Sequence, residues 1–298
     1  MRDDQQQDLK ALVPGRSSEE GPTRRLALQT ALGLGYAAAA TPLMAQTAIS
    51  TPADGLTAGE VHFTVNGFKV PAYRAAPAGK KNVPVVLVIS EIFGVHEYIA
   101  DTCRRLARAG YLAIAPDLYA RQGDPKTYTE IAKLMSELVS KVPDEQVMAD
   151  LDGAVQWAGT QGGDTARVAI TGFCWGGRIT WLYAAHGPVK AGVAWYGRLE
   201  GAKTALQPRH PLELVSSLKA PVLGLYGGQD TGIPLESVER MREALKQGSA
   251  AAKASEFVIY PEAPHAFHAD YRPSYREQAA RDGWQKMLAW FNKNGVAP

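Results

Sequence analysis

Short, almost uninterrupted apolar runs recur along this chain, and amphipathic stretches separate them. The clearest is Val83-Pro84-Val85-Val86-Leu87-Val88-Ile89. It is too short for most helices, and consecutive apolar positions are what a strand needs when both of its faces are buried. Similar runs fall at Tyr111–Ala115, Arg167–Thr171, Val189–Trp195, Pro221–Tyr226 and Phe257–Tyr260. Helical periodicity between them predicts helices over Tyr98–Ala109, Lys126–Val139, Glu145–Ala158, Arg178–Ala185, Leu235–Gln247 and Tyr275–Asn292. Strand and helix alternate, which implies βαβ units: an α/β fold with a mostly parallel central sheet and helices on both faces. Upstream, Val61–Val65 and Phe68–Val70 flank Asn66-Gly67, the strongest two-residue hairpin signal, so the sheet is expected to begin with an N-terminal β-hairpin. With 298 residues, 46% of them hydrophobic, and no internal repeat, one domain is expected over residues 49–298.

Residues 1–48 differ in character. Thr23-Arg24-Arg25-Leu26 leads into a stretch without charge from Leu26 to Ala53, rich in Ala, Leu, Gly and Thr, with small residues around Ala45. A basic start, a mildly apolar middle and a small residue at the end make the pattern of an export signal, here of the twin-arginine kind. The expected location is periplasmic or exported, with a membrane-anchored or cytoplasmic protein as the alternative if the leader stays uncut. Gly33, Gly35, Thr41 and Pro42 dilute the stretch below the roughly 20 strongly apolar residues of a spanning helix, so no stable membrane span is expected after removal of the signal.

Charge excludes some partners. Thirty-two basic against 30 acidic residues give a formal charge of +2, and no block of like charge suggests a nucleic-acid footprint. A small-molecule partner is expected instead. The six histidines are scattered, without the paired-ligand spacing of a metal site, and neither metal nor cofactor is expected.

The chemistry concentrates just past the strands, where functional residues of such sheets collect. Ile170-Thr171-Gly172-Phe173-Cys174-Trp175-Gly176-Gly177 is a strand running into a tight turn with a thiol at its apex, flanked by glycines where a serine hydrolase carries Gly-x-Ser-x-Gly. The two cysteines, Cys103 and Cys174, are not expected to pair, because a bridge would consume that thiol. Asp230 in Gly227-Gly228-Gln229-Asp230 and His265 in Pro264-His265-Ala266-Phe267-His268 follow later strands, in the order nucleophile, acid, histidine. Cys174 supplies a nucleophile, His265 takes and returns its proton, and Asp230 fixes the imidazole; His268 is the alternative base.

These motifs, with Ser90-Glu91-Ile92-Phe93-Gly94-Val95 and Ala115-Pro116-Asp117-Leu118-Tyr119-Ala120-Arg121, resemble those of the dienelactone hydrolase (carboxymethylenebutenolidase) family of α/β-hydrolases, over residues 60–293 and in the right order. The resemblance implies a triad of Cys174, Asp230 and His265. It implies that Glu91 pairs with the cysteine in the resting enzyme, and that the backbone N–H groups of Ile92 and Trp175 hold the oxyanion. It also implies that Arg121 binds a substrate carboxylate. The family's second anion-binding arginine falls at Ala269, and His268 or Arg272 are the available substitutes. Tyr119, Tyr196 and Trp175 are candidates to line the pocket.

A tetrahedral adduct on sulfur readily expels the thiolate again, so a cysteine hydrolase suits substrates with easily departing leaving groups. Hydrolysis of a lactone or activated carboxylic ester through an acyl-cysteine is therefore the expected activity. The alternative is a non-catalytic or thiol-redox protein on the same scaffold.

Overall fold

The computed structural model describes residues 48–298. The export leader expected over residues 1–48 thus lies, apart from Ala48, outside the described residues. Among the described residues no helix is long and apolar enough to cross a membrane.

An eight-stranded sheet in the order β1-β2-β4-β3-β5-β6-β7-β8 forms the centre. The expected hairpin is β1 (Leu56–Val65) and β2 (Phe68–Pro77), joined by Asn66 and Gly67 at φ 50° and 80°, the positive values that a two-residue turn of this hand requires. β2 pairs antiparallel with β4 (Leu112–Pro116), while β3 (Val83–Ile89), β4, β5 (Gly163–Phe173), β6 (Ala191–Trp195), β7 (Val222–Gly227) and β8 (Glu256–Tyr260) run parallel. Val85, Val86, Leu87, Val88 and Ile89 are each 0% exposed. Successive strand residues point to opposite faces, so this run shows that the sheet is covered on both. The cover comes from α1 (Glu97–Arg108), α2 (Asp144–Thr160), α3 (Trp175–His186), α4 (Leu235–Lys246) and α5 (Glu277–Lys293).

Two departures from the sequence expectation have local causes. Proline 84 has no N–H for the ladder, and the β3–β5 register jumps from Pro84↔Asp164 to Val85↔Val168, which lets β5 start earlier than its apolar run. The helix expected over Lys126–Val139 is a string of single turns: Pro125–Thr127, Ile131–Lys133, a wide turn at Leu134–Leu138 and Val139–Lys141. Ile131, Leu134 and Leu138 still bury their side chains, so the periodicity reported burial rather than a continuous helix.

Candidate active site

Strand register brings the chemistry together. Ile89 pairs with Gly172 and Phe173 with Trp195, so Glu91 and Cys174 each lie two residues beyond a paired position on adjacent strands, and Cys174 lies beside Tyr196. The Cys174 N–H donates to the Trp195 carbonyl at 3.0 Å, tying the elbow to β6. Cys174 itself has φ 55° and ψ −112°, a strained conformation that turns the chain sharply from β5 into α3. Only glycine fits beside it. A Cβ on Gly172 would fall 2.1 Å from the Gly176 carbonyl oxygen, and one on Gly176 would fall 2.4 Å from that of Ile89. Tyr196 and Ala266 also have positive φ, 39° and 58°, so backbone strain clusters around the thiol and the histidine loop.

The first turn of α3 leaves N–H groups without helical acceptors. Among the described residues neither the Trp175 nor the Ile92 N–H is paired with a backbone acceptor, and Trp175 directly follows Cys174. His265 Nδ1 lies 2.6 Å from Asp230 Oδ2, and Asp230 Oδ1 accepts from the N–H groups of Gly232 (2.8 Å) and Ile233 (3.1 Å). The carboxylate is thereby fixed at both oxygens, and the imidazole is fixed in turn. Burial works against the His265 imidazolium, but the Cys174 sulfur and the Asp230 carboxylate outweigh it and raise the pKa well above the ordinary histidine value. Tyr196 packs its ring edge-on against His265, with centroids 5.1 Å apart. His265 rather than His268 therefore faces the thiol.

Glu91 is placed next to Cys174 as expected, but its hydrogen bond is not to the thiol. Its Oε2 lies 3.3 Å from His96 Nε2, and its Oε1 is buried without a partner among the described residues. The physical reason is the start of α1: His96 is its N-cap residue, and its ring stands edge-on to Tyr271 at 5.1 Å, which aims Nε2 at the carboxylate. Cys174 is drawn instead to His265. His96 and Tyr271 were missed in the sequence. His96 directly follows the Phe93-Gly94-Val95 motif, and Tyr271 shares the loop of His265.

Arg121 does not stand as a carboxylate clamp. Its guanidinium donates to Asp150 Oδ2 at 2.5 Å, lies 4.3 Å over the Phe68 ring, and reaches the Val65 carbonyl at 3.4 Å. Asp150 is fully buried on α2 and needs a cation, so Arg121 is committed to it. His268 is likewise a core residue. It is 3% exposed, stacks on Phe173 and Trp284, and bonds the Tyr98 hydroxyl through Nδ1 at 2.6 Å. Burial, with the Arg105 charge, holds its pKa well below the usual value, which suits a ring packed among aromatic side chains. Arg272 is buried in a turn where its N–H donates to the carbonyl of Ala269, itself 0% exposed.

The aromatic candidates do border the site. Tyr119 packs on Trp175 with ring centroids 4.9 Å apart. Burial, and then the charges of Cys174 and Glu91 among others, raise the pKa values of Tyr119, Tyr196 and Tyr271 well above that of a free phenol. Cys103 is a free thiol on the buried face of α1, and Cys174 is also unpaired. Among the described residues no cluster of His, Cys, Asp or Glu is arranged to hold a metal ion.

Comparison with known proteins agrees with the geometry. The model of the dienelactone hydrolase family matches residues 70–295. A "Putative carboxymethylenebutenolidase" of Methylorubrum extorquens is 60% identical over 292 residues, covering 97% of this chain and 98% of that protein. The Escherichia coli K12 protein of the same name is 56% identical over 263 residues, covering 88% and 96%. The crystal structure of a "Putative Dienelactone Hydrolase" from Klebsiella pneumoniae, at 58% identity, covers 80% of this chain and 99% of its own, with a TM-score of 0.77. The fold, the motifs and these relatives agree, and the chain is a hydrolase of the dienelactone hydrolase family with the α/β-hydrolase fold.

Proposed function

We propose that this hydrolase cleaves a lactone or activated carboxylic ester through an acyl-enzyme on Cys174. The observation that carries the reading is the thiol on a strained elbow facing an imidazole that Asp230 holds at 2.6 Å. His265 takes the thiol proton, and the sulfur adds to the substrate carbonyl carbon, forming a C–S bond. The oxygen becomes an oxyanion, held by the N–H groups of Ile92 and Trp175. As the carbonyl re-forms, the C–O bond to the leaving group breaks and the imidazolium returns its proton to that group. Water then attacks the thioester with His265 as base, the C–S bond breaks, and the thiol is regenerated.

Glu91, hydrogen-bonded to His96, lies beside the thiol by strand register. A carboxylate there repels other anions that approach the idle sulfur. A thiol-redox protein would need no ordered acid and base, which favours the hydrolytic reading. Export through residues 1–48 is part of the proposal, and it would place the thiol in an oxidising compartment. Cys174→Ala, assayed on enol lactones and aryl esters, tests the reading: turnover is expected to fall to background, and undiminished turnover would reject it.

A further inference from the structure

The walls of the site hold polar atoms that the protein does not satisfy. Tyr119 Oη, Tyr271 Oη, Trp175 Nε1 and Glu91 Oε1 are buried and have no hydrogen-bond partner among the described residues. Tyr119, Glu91 and Trp175 are 0%, 1% and 8% exposed, so bulk solvent does not explain them. A buried polar group without a partner is costly, and native proteins rarely leave several together.

All four surround one nucleophile. Trp175 follows Cys174 in the chain, and Tyr119 packs on its ring. Glu91 is beside Cys174 by strand register, and Tyr271 reaches it across His96, whose ring is 5.1 Å away. The two phenols and the indole N–H can donate; the carboxylate oxygen accepts. The arginine expected to clamp a substrate carboxylate is spent on Asp150, and Ala269 stands where the second would be. Burial first, and then Cys174, Glu91, Asp117, Tyr196 and Asp270, raise the Tyr119 and Tyr271 pKa values, and each of those five groups is anionic when ionised. A further carboxylate placed among them is repelled.

We propose that this site selects an uncharged, hydroxyl-bearing lactone or ester over a carboxylate-bearing one, with Tyr119, Trp175 and Tyr271 donating to its oxygens and Glu91 accepting from its hydroxyl. The inference rests on the acyl-cysteine reading above, and it concerns substrate class. A site built to bond a substrate hydroxyl rejects the analogue that lacks it, because its own groups are then left unpaired.

The test uses the whole protein and three alkylidene butenolides that differ only in their exocyclic substituent: hydroxymethyl, methyl or carboxylate. The expected result is that kcat/KM for the hydroxymethyl compound exceeds that for each of the others by roughly tenfold, the size of one good hydrogen bond. Tyr119→Phe and Tyr271→Phe, which keep the rings, are expected to shrink the hydroxymethyl-to-methyl ratio several-fold. Cysteine-dependent turnover that favours the carboxylate, or a ratio unmoved in both Phe variants, overturns the inference alone. If none of the three is cleaved, or Cys174→Ala cleaves them as fast as the parent, the acyl-cysteine reading falls and takes the inference with it.

Discussion

Single residues divide this site into groups that do chemistry and groups that hold them. Asp230 spends one oxygen on His265 and the other on two backbone N–H groups, so Asp230→Asn would keep the shape while presenting an amide to the imidazole. That change is expected to lower kcat by at least about a hundredfold with little change in KM, read by steady-state kinetics on an activated ester. His96 belongs to the second group. Replacing it with Phe removes the hydrogen bond that His96 makes to the Glu91 carboxylate while keeping a ring against Tyr271, and oxidation of Cys174 by peroxide is expected to speed up as the carboxylate moves away from the sulfur; an unchanged rate would show that His96 does not position Glu91. For Arg121 the expectation differs in kind. Arg121→Ala strands the buried Asp150 carboxylate and should cost about 3 kcal/mol of stability in a denaturant melt, while leaving the preference between carboxylate and neutral substrates where it was. A lost carboxylate preference at unchanged stability would restore the clamp.

Elements position these residues, and they do so through close backbone approaches. The β5–α3 elbow exists because Gly172 and Gly176 let two backbones meet at distances no side chain tolerates. Gly176→Ala would drive a methyl group into the carbonyls of Ile89 and Ser90 at 2.4 and 2.7 Å. Since those are backbone atoms at the end of β3, the strand that carries Glu91 must shift. Loss of activity together with a fall in Tm is expected, read by an ester assay and a thermal melt. Much of this level was legible in the sequence. The strands were, because five consecutive fully buried residues in β3 leave an unmistakable apolar run, and so was the order Cys174, Asp230, His265. What stayed hidden is long-range pairing: nothing in the spacing of Arg121 and Asp150 reveals an ion pair across a helix and a loop, and a lone His268 gives no sign that the four aromatic rings of Tyr98, Phe173, Trp195 and Trp284 enclose it. The broken turns over Pro125–Lys141 were misread for the related reason that buried positions at helical spacing also fit a chain of single turns.

Across the whole molecule, the parallel sheet gathers residues from separate strand ends onto one edge and surrounds them with a dry aromatic layer. His268 sits in that layer, and its lowered pKa has a stability consequence. Below the ordinary histidine pKa of 6.5 the unfolded chain binds a proton that the folded ring refuses, so its contribution to stability is complete above pH 6.5 and is lost as pH falls toward the folded pKa. The expected slope from this group is about 1.4 kcal/mol per pH unit in that window. His268→Phe, which keeps an aromatic ring between Phe173 and Trp284, should flatten the fall in unfolding free energy between pH 6.5 and 5; parallel curves would contradict the assignment. The account as a whole turns on the thiol at the elbow. Mass spectrometry of the protein quenched in acid during turnover of an aryl ester tests it most directly. An added acyl mass on the peptide containing Cys174, absent from Cys174→Ala, is the result predicted, whereas rapid turnover by Cys174→Ala, or an acyl group carried on another residue, would contradict it.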